Sequence, residues 1–539
     1  MTALDWDAAW RARTLAGLDR PWDLVVVGGG IAGAGVARTA ARAGLQVLLL
    51  EQEDFAWGAS SRSSQLVHGG LRYLAKGRLR TAGRAVRERE ALLHAAPGLV
   101  TPMPFLVPLR RGRPARDAGY RTAIGAYELL AGRLPRRSLG AAELTMLAPT
   151  VDRADLTGGL RYAEGRTDDA RLVLRVLREA AAAGAVALNA VRVTGLEHRA
   201  GRVAGVQVRD RLTGQAGALS ASVVVNATGS WSDVLRCEVA GPARMRPVRG
   251  SHLLFPGWRF PLHVGVNVRS PRDGRHVSVL PWEGATLVGT TDLDHTGDPA
   301  AEPAITGDEA AYLLECVTSA FPCLDLTAAD VLSTWSGVRP VVASGAARSQ
   351  DERREHVVWD EQGLLTATGG KLTTFRLLAD EVLAAALPRL SRSAPARPPA
   401  PVPTPASGRL EGRFGSEAAR LVATAAAQEL EPVAGTSTTW AELRWSARRE
   451  GVTSLADLML RRTRLGLLLP RGGAQVLAEV GAVCREELGW DADRWERERG
   501  EYAALVRACY ALSAGTRTDR AAGTTSTVTG RGPTGSPSA

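Results

Sequence analysis

The sequence predicts an α/β protein that combines a parallel βαβ sheet, an antiparallel sheet interleaved with it and an α-helical C-terminal domain. Three observations predict this class. Two apolar runs flank an alanine-rich stretch between 23 and 50, short valine-rich runs alternate with turns between about 100 and 360, and helical spacing follows residue 409. A chain of 539 residues exceeds one compact core, so we expect two or three domains.

Residues 23–50 carry the pattern of one βαβ unit. The runs 23–27 and 46–50 are short and apolar, and both are predicted to be buried parallel strands. The alanine-rich stretch 31–43 between them is predicted to be a tightly packed helix. Strand, helix and strand at this spacing form the unit from which doubly wound sheets are built.

The middle of the chain predicts a second, largely antiparallel sheet. Valine-rich runs at 202–208, 276–280 and 285–289 alternate with turns. The similar run 222–226 is followed by an Ala-Thr-Gly turn and is assigned instead to the first sheet.

Beyond about residue 390 the chain changes in composition. Residues 391–408 are proline-rich and are predicted to be an extended, semi-rigid linker. From about 514 the chain lacks apolar periodicity, which predicts a disordered tail. Helical spacing is found at 416–430, 440–468, 473–488 and 492–512. The predicted division is a discontinuous nucleotide-binding domain (20–100, 155–240 and 330–390), a substrate-binding domain (101–154 and 241–329), the linker 391–408, a helical domain (409–513) and the tail 514–539.

The bulk composition is that of an ordinary globular protein, with 45% hydrophobic and 23% charged residues. The net charge is +11, but the arginines are scattered, so we expect a solvated basic surface, with attraction to a membrane surface as the alternative. Aromatic residues make up 5% and no basic helix is interleaved with them, which argues against nucleic-acid binding.

The five cysteines form no C-x-x-C pair, so we expect a reducing compartment and no disulfide framework or metal site. Neither a secretory signal nor a transmembrane run is predicted.

Residues 28–33, Gly-Gly-Gly-Ile-Ala-Gly, fit the G-x-G-x-x-G pattern of a Rossmann-type site, because they follow a predicted strand and open a predicted helix. Gly28 allows the tight turn, Gly30 lets the backbone approach a pyrophosphate, and Gly33 lets helix and strand pack closely. The helix N-terminus supplies N–H groups to the phosphates. Glu51 ends the second strand, where its carboxylate can accept both ribose hydroxyls and would repel a 2′-phosphate. The motif therefore predicts dinucleotide binding, argues against NADP and leaves FAD and NAD open.

Residues 58–74 carry a second group of polar side chains beyond this strand. Four serines can bond phosphate and ribityl oxygens: Ser60, Ser61, Ser63 and Ser64. His68 and Arg72 are four residues apart, so on a helix they would share one face. Gly69 and Gly70 would let the backbone come close to a flat ring.

This stretch closely resembles the signature of the FAD-dependent glycerol-3-phosphate dehydrogenases, a family of the D-amino-acid-oxidase-like flavoproteins. Four further segments match that family in order: 223–231 (VVVNATGSW), 289–292 (GTTD), 336–340 (SGVRP) and 368–376 (TGGKLTTFR). The resemblance covers about 20–510, including RRTRLG at 461–466. Gln65 stands where a lysine is usual and Phe375 where a tyrosine is common, which puts a substrate or surface contact in question.

The resemblance implies oxidation of sn-glycerol 3-phosphate to dihydroxyacetone phosphate by hydride transfer to flavin N5, with a membrane quinone as electron acceptor. It also implies a cytoplasmic protein that attaches peripherally to the inner face of the membrane. The expected FAD-binding residues are Gly28, Gly30, Ile31, Ala32, Gly33, Glu51, Ser60, Ser61, Ser63, Ser64, His68, Gly69, Gly70, Ala227, Thr228, Gly229, Gly369, Gly370, Lys371, Leu372 and Thr373. The expected substrate-binding residues are Arg72, Tyr73, Arg339, Arg354 and Lys371, with Arg353 competing with Arg354.

The expected catalytic residues are His68, His252, Arg339 and Lys371. A neutral histidine can take the hydroxyl proton, and both His68 and His252 are candidates. Flavin contact is the alternative role for His68, and a water or hydroxyl polarised by arginine is a third candidate base. A helix expected near Leu372 would aim its N–H groups at the flavin pyrimidine edge, an effect worth about 3 kcal/mol per donor.

Three other functions stay open at this point. An oxidase that uses O2 would carry the same motifs, although the mid-chain insertion common in such oxidases is not visible. A related flavoenzyme would act on an amino acid or a 2-hydroxy acid through a carboxylate clamp. A non-catalytic flavin-binding scaffold is the third. No oligomeric state is predicted.

Overall fold

The structure is a computed structural model that describes residues 6–75, 78–112, 114–132, 138–298, 300–352, 354–390 and 408–512, without the side chains of Arg72, Ala75 and Gln350. The predicted tail 514–539 lies outside the described residues, and so does the predicted linker apart from Gly408. Arg353, the competing substrate ligand, also lies outside them.

The described part of the chain contains two β-sheets. Their strands are β1 (Trp22–Val27), β2 (Val47–Leu50), β3 (Leu66–Val67), β4 (Thr101–Arg110), β5 (Leu139–Gly140), β6 (Leu156–Arg166), β7 (Val186–Leu188), β8 (Val191–Arg199), β9 (Arg202–Asp210), β10 (Ala216–Asn226), β11 (Met245–Pro256), β12 (Gly265–Arg269), β13 (His276–Trp282), β14 (Ala285–Gly289), β15 (Leu293–Asp294), β16 (Ser333–Val342), β17 (His356–Glu361) and β18 (Leu364–Gly369).

The helices are α1 (Ala8–Ala16), α2 (Ile31–Arg42), α3 (Leu71–Ala75), α4 (Leu79–Ala95), α5 (Pro114–Leu130), α6 (Ala141–Leu147), α7 (Asp169–Ala182), α8 (Ser232–Arg236), α9 (Gly307–Ala320), α10 (Phe375–Ala386), α11 (Arg409–Phe414), α12 (Ala418–Thr424), α13 (Trp440–Arg449), α14 (Leu465–Leu468), α15 (Leu477–Leu488) and α16 (Ala492–Leu505). Two π-helical segments, Asp457–Arg462 and Val506–Tyr510, interrupt the C-terminal helices.

The first sheet has the strand order β17-β18-β10-β1-β2-β7. β1 pairs in parallel with both β2 and β10, so the carboxyl ends of these strands meet at one edge. Val26 of β1 is buried under the helices α2, α7 and α10 on one face of this sheet, and Val25 and Val27 are buried on the other face among apolar residues of β8, β9 and β10. The expected βαβ unit and the return of the chain at 222–226 are both present.

The second sheet has the strand order β15-β11-β14-β13-β12-β4-β6-β3, with β16 paired to β11 and β5 to β6. Its pairs are antiparallel apart from the parallel pair β12–β4. Both β16 and the β6–β3 end contact residues 62–69, because Trp335 Nε1 donates to the Ser63 carbonyl and β3 pairs with β6. The sheet therefore curls around the segment that follows β2.

Strand pairing differs from the sequence-based expectations for several strands. β3, β6 and β16 fall within ranges assigned to the nucleotide-binding domain, but all three pair within the second sheet. The run 202–208 was expected among the strands of the second sheet, although its range was assigned to the nucleotide-binding domain, and β9 pairs with β10 and so extends the first sheet. Valine content and turn spacing identify a strand but do not identify its partner, and this explains the differences.

The helical C-terminal region is more broken than the predicted runs. The stretch predicted at 440–468 comprises α13, a π-helical segment and α14, and Arg464 between the last two has a φ of 63°. Apolar side chains of this region share one core with the second sheet, where Trp282 and Trp335 pack with Leu443 and Leu458 among others. The region is thus anchored to the sheet through a continuous apolar interface.

Candidate active site

The glycine loop between β1 and α2 is shaped for close backbone approach. Gly28 has a φ of 109°, and a Cβ there would lie 2.6 Å from the Ala227 carbonyl oxygen. A Cβ at Gly33 would collide with the Gly28 carbonyl oxygen, so this glycine serves helix–strand packing as expected. The Ile31 N–H donates to Ser60 Oγ at 3.0 Å, which ties the helix N-terminus to the serine segment.

Glu51 lies at the end of β2, beside this loop. Its carboxylate accepts the Gly29 N–H at 2.7 Å and the Glu53 N–H at 2.8 Å. Burial raises its pKa to about 7, although both amide bonds oppose that shift. Its position at the mouth of the glycine loop matches the expected role as acceptor for ribose hydroxyls.

The expected serines separate into two groups. Ser60, Ser63 and Ser64 line the cavity that begins at the glycine loop. Ser61 is buried away from the cavity, and its carbonyl accepts Arg464 Nη1 at 3.1 Å. Ser61 is not among the residues that line this cavity, and its role as a cofactor ligand stays a prediction.

A second wall of the cavity comes from the turn after β10 and the segment after β18. Ala227, Thr228 and Gly229 line it on one side. Gly369 and Gly370 both have left-handed φ angles, of 75° and 76°, and the expected helix begins with a 3-10 turn at Leu372–Thr374 before α10. Lys371, Leu372 and Thr373 also line the cavity.

The His68–Gly70 loop differs from expectation in two ways. The helix begins only at Leu71, so His68 precedes it and does not share a helical face with Arg72. Gly69 faces the interior, where its N–H donates to Tyr127 Oη at 2.9 Å and a Cβ would overlap the tyrosine hydroxyl. Gly69 therefore packs against Tyr127, whereas His68 and Gly70 line the cavity, and the cofactor contact expected of Gly69 stays a prediction.

Lys371 lies over Tyr73, with its Nζ 4.0 Å from the ring centroid. The pKa of His68 is held well below its usual value, first by the positive charge of Lys371, then by burial, and then by Arg354 and Arg339. His68 is therefore neutral at neutral pH and sits within reach of three cations. The Arg72 side chain lies outside the described residues.

Three arginines converge on one carboxylate at the far end of the cavity. Asp292 lies 3.2 Å from Arg339 Nη1, 2.5 Å from Arg354 Nη2 and 3.6 Å from Arg275 Nη2. All three guanidiniums line the cavity. A Cβ at Gly250 would overlap the Arg339 guanidinium, so that glycine leaves the space Arg339 occupies. Three guanidiniums and one carboxylate leave a net charge of +2 at this end.

His252 is 1% exposed and stacks on Trp335, with ring centroids 5.3 Å apart. Its Nε2 lies 2.9 Å from Ser64 Oγ. Burial, followed by the charge of Arg339, lowers its pKa to about 3, so the ring is neutral at pH 7. His252 also lines the cavity, and these contacts make it a support for Ser64 there.

Two site residues were missed by the sequence reasoning. Asp292 belongs to the G-T-T-D match but received no role, and Arg275 precedes β13 with no motif to mark it. Gln65, which stands where a lysine is usual in the family, has a structural role. It is 0% exposed, and its Oε1 accepts the Asp169 N–H at 3.1 Å. Gln65 thus caps α7 and takes no part in the cavity wall.

The residues of this cavity fit FAD. It has a volume of about 1180 Å³ and runs without interruption from the glycine loop to the three arginines. Gly28 and Gly30 hold the backbone close at one end, where Glu51 can meet a ribose. Gly370 and the start of α10 line the cavity further along, beside His68, where a flat ring would lie between the loop and the helix.

Family comparisons agree with this geometry. A family model described as FAD dependent oxidoreductase matches residues 23–376. A second model, described as the C-terminal domain of alpha-glycerophosphate oxidase, matches residues 369–495.

The chain is also similar to known proteins. It is 38% identical over 496 residues to glycerol-3-phosphate dehydrogenase 1 of Mycobacterium tuberculosis, covering 85% of this chain and 93% of that protein. It is 38% identical over 372 residues to the aerobic glycerol-3-phosphate dehydrogenase of Bacillus subtilis, covering 68% of this chain and 66% of that one. Its fold is similar to the crystal structure of glycerol-3-phosphate dehydrogenase from Bacillus halodurans complexed with FAD, with a TM-score of 0.76, 28% identity and coverage of 93% and 98%.

Proposed function

This chain belongs to the family of FAD-dependent glycerol-3-phosphate dehydrogenases and oxidases, and from that membership we propose that it oxidises sn-glycerol 3-phosphate to dihydroxyacetone phosphate. FAD is the cofactor and, when bound, supplies the hydride acceptor. The observation that carries the substrate proposal is the group of Arg275, Arg339 and Arg354 around Asp292.

The arginine group suits a phosphate monoester. A phosphate carries a charge of about −1.5 to −2 at pH 7, which balances the net +2 of this group, whereas a carboxylate balances only half of it. Guanidinium forks match phosphate oxygens in bidentate geometry. Asp292 holds the forks of Arg339 and Arg354 in fixed orientations, so less side-chain freedom is lost when the phosphate binds.

We propose His68 as the group that accepts the hydroxyl proton. The neutral imidazole is the form that can accept a proton, and the nearby cations keep it in that form. A bound phosphate dianion would offset those cations and raise the proton affinity of His68 when substrate arrives. His252 is less suited, because its Nε2 is engaged with Ser64 and its ring is buried against Trp335.

Lys371 and Thr373 position this loop against the start of α10. The Thr373 hydroxyl donates to the His68 carbonyl at 3.1 Å, and Lys371 rests on the Tyr73 ring. Both contacts fix the spacing between the His68 loop and the 3-10 turn at Leu372–Thr374. When FAD is bound in this cavity, the positive charge of Lys371 would favour negative charge on the reduced flavin.

We propose a quinone as the electron acceptor. The cavity is also lined by a group of aromatic and polar side chains: Phe105, Tyr120, Tyr162, Asn267 and His276. Burial lowers the pKa of His276 to about 4, and its Nε2 lies 2.7 Å from Tyr120 Oη, so the imidazole is neutral at pH 7. An uncharged planar ring is compatible with this aromatic lining.

The acceptor is tested by reoxidation of the substrate-reduced enzyme. Mixing it with a soluble quinone should restore the flavin absorbance faster than mixing it with the same concentration of O2. Faster reoxidation by O2 would favour the oxidase alternative.

No helix in the described part of the chain is long and apolar enough to cross a membrane. We propose a cytoplasmic protein with peripheral contact to the inner membrane face. Leu79 and Leu129 are 63% and 61% exposed on the adjoining helices α4 and α5, and exposed Arg80 and Arg84 lie on α4 as well. Flotation with anionic liposomes at low salt should carry the protein upward, and protein that stays at the bottom would refute membrane contact.

Substrate range separates this proposal from its closest alternative. Steady-state assays with an artificial electron acceptor should yield dihydroxyacetone phosphate from sn-glycerol 3-phosphate and little turnover of amino acids or 2-hydroxy acids. Turnover of a carboxylate substrate in preference to the phosphate would move the assignment to a related flavoenzyme.

A further inference from the structure

Three arginines of the C-terminal region reach across the molecule to the segment that follows β2. Arg461, Arg462 and Arg464 are each no more than 3% exposed, and they come from the interrupted stretch between α13 and α14. Each of them has a partner about 400 residues earlier in the chain, at Asp54 or Ser61. Long arginine side chains are buried here only because acceptors surround them.

Arg464 makes the most direct contact with the cofactor-binding segment. Its Nη1 donates to the Ser61 carbonyl at 3.1 Å, and its Nη2 donates to Asp168 at 2.9 Å and also to Asp169. Asp169 in turn accepts the Ser63 N–H at 2.9 Å. One guanidinium therefore holds the serine segment at two points, directly at Ser61 and through Asp169 at Ser63.

Two further contacts hold the ends of the same segment. Arg462 donates to both oxygens of Asp54 at 2.7 Å, and Arg461 donates to Asp54 Oδ2 at 2.6 Å. At the other side, Glu302 accepts hydrogen bonds from Arg62 and from the Tyr510 hydroxyl. Residues 54–63 are thus fixed from the C-terminal region at Asp54, Ser61 and Arg62.

The same segment supplies cavity-lining groups. Ser60 Oγ accepts the N–H of Ile31 at the start of α2, and Ser63 and Ser64 line the cavity beside it. A displacement of Ser61 would move Ser60 and Ser63 as well, because Ser60 precedes it directly and Ser63 follows two residues later, itself held through Asp169. The cavity wall near the pyrophosphate end therefore depends on a side chain that does not itself line the cavity.

We propose that Arg464 is a positioning residue for FAD, through which the helical C-terminal region holds the serine segment in its cofactor-binding conformation. This inference rests on FAD as the cofactor and is independent of the substrate. It gives the C-terminal region a role in cofactor retention in addition to its packing against the second sheet.

The test is the rate of FAD release from the holoenzyme, followed by the rise in flavin fluorescence after dilution without substrate. Arg464→Met and Arg464→Lys should release FAD at least tenfold faster than the unmodified protein. Arg171→Met is the matched control, because Arg171 is a buried arginine that joins α7 to Glu450 in the same network without touching residues 60–64. With saturating FAD, the Arg464 variants should keep an unchanged KM for glycerol 3-phosphate.

The control variant should release FAD at the unmodified rate even where its melting temperature falls. Unchanged release in either folded Arg464 variant would overturn the proposal, and so would equal acceleration in Arg171→Met, because the effect would then be general loosening. The Arg464→Lys variant keeps the positive charge, and its rate of FAD release is the test if Arg464→Met does not fold.

Discussion

Replacing Arg339 with lysine keeps a positive charge beside Asp292 but removes the planar fork. In the structure, the two terminal nitrogens of Arg339 reach Thr290 Oγ1 at 3.0 Å, Asp292 at 3.2 Å and the Thr291 carbonyl at 3.3 Å. A lysine ammonium on this strand cannot reproduce that geometry while also meeting a phosphate oxygen. The charge stays, so the experiment isolates the contribution of the fork.

The expected magnitude follows from one lost phosphate contact. A hydrogen bond to a charged group contributes about 1.5–3 kcal/mol, and each 1.36 kcal/mol is tenfold in rate, so kcat/KM for glycerol 3-phosphate should fall about 10- to 160-fold. Glycerol has no phosphate, so its much smaller kcat/KM should change by less than threefold. The ratio of the two kcat/KM values should therefore fall by at least about threefold.

The assay is stopped-flow bleaching of the flavin absorbance without oxygen, with each substrate in turn. Arg246→Lys is the matched control, because Arg246 lies on β11, pairs with Asp294 at 2.7 Å and does not line the cavity. Equal losses for glycerol and glycerol 3-phosphate would refute the phosphate-binding role of Arg339. An unchanged rate with the phosphorylated substrate would refute it as well.

Three further predictions concern titratable groups. FAD affinity should fall as the pH is lowered through about 7, because protonation of Glu51 removes an acceptor for the ribose hydroxyls, and a Glu51→Gln variant titrated at pH 6 and pH 8 should lack this slope. His68→Gln should slow flavin bleaching by about 100-fold or more, as expected for loss of a general base, whereas His252→Gln should slow it less than tenfold; the reverse order would assign the base to His252. Lys371→Met should raise the pKa of His68 toward its ordinary value, because the charge of Lys371 is the largest cause of the lowered pKa. NMR of histidine-labelled protein should show this shift. An unchanged pKa of His68 would contradict the proximity of the Lys371 charge to the imidazole.

Much of the nucleotide-binding end could be predicted because its constraints are local. Gly28 and Gly33 are required by a turn and by a helix–strand contact only a few residues away, and Glu51 follows from the end of the next strand. Such requirements leave a pattern within about 25 residues of sequence. The predicted fold class and FAD cofactor are confirmed.

The differences from expectation arise where the deciding contact is distant in sequence. Ser61 and Gly69 lie within the recognised motif, but their backbones are bonded to Arg464 and Tyr127, and neither residue lines the cavity. Arg275 joins the arginine group only because the second sheet curls and brings β13 close to Asp292. These contacts join residues that are far apart in the sequence, so residue spacing and composition could not predict them.

Contacts distant in sequence also explain why the C-terminal helices differ from the prediction. Periodicity predicted continuous helices, but buried ion pairs between Arg461, Arg462 and Asp54 replace the apolar contacts that such a pattern assumes. The π-helical turn at Asp457–Arg462 presents these arginines toward a segment far away in the chain. The motif RRTRLG was recognised in the sequence, while its partners became known only from the fold.

Anaerobic titration of the FAD-loaded protein with sn-glycerol 3-phosphate tests the proposed reaction. One equivalent should bleach the flavin and yield one equivalent of dihydroxyacetone phosphate, while glycerol and lactate at the same concentration should leave the flavin oxidised. A flavin that stays oxidised in the presence of excess sn-glycerol 3-phosphate would show that this is not the substrate.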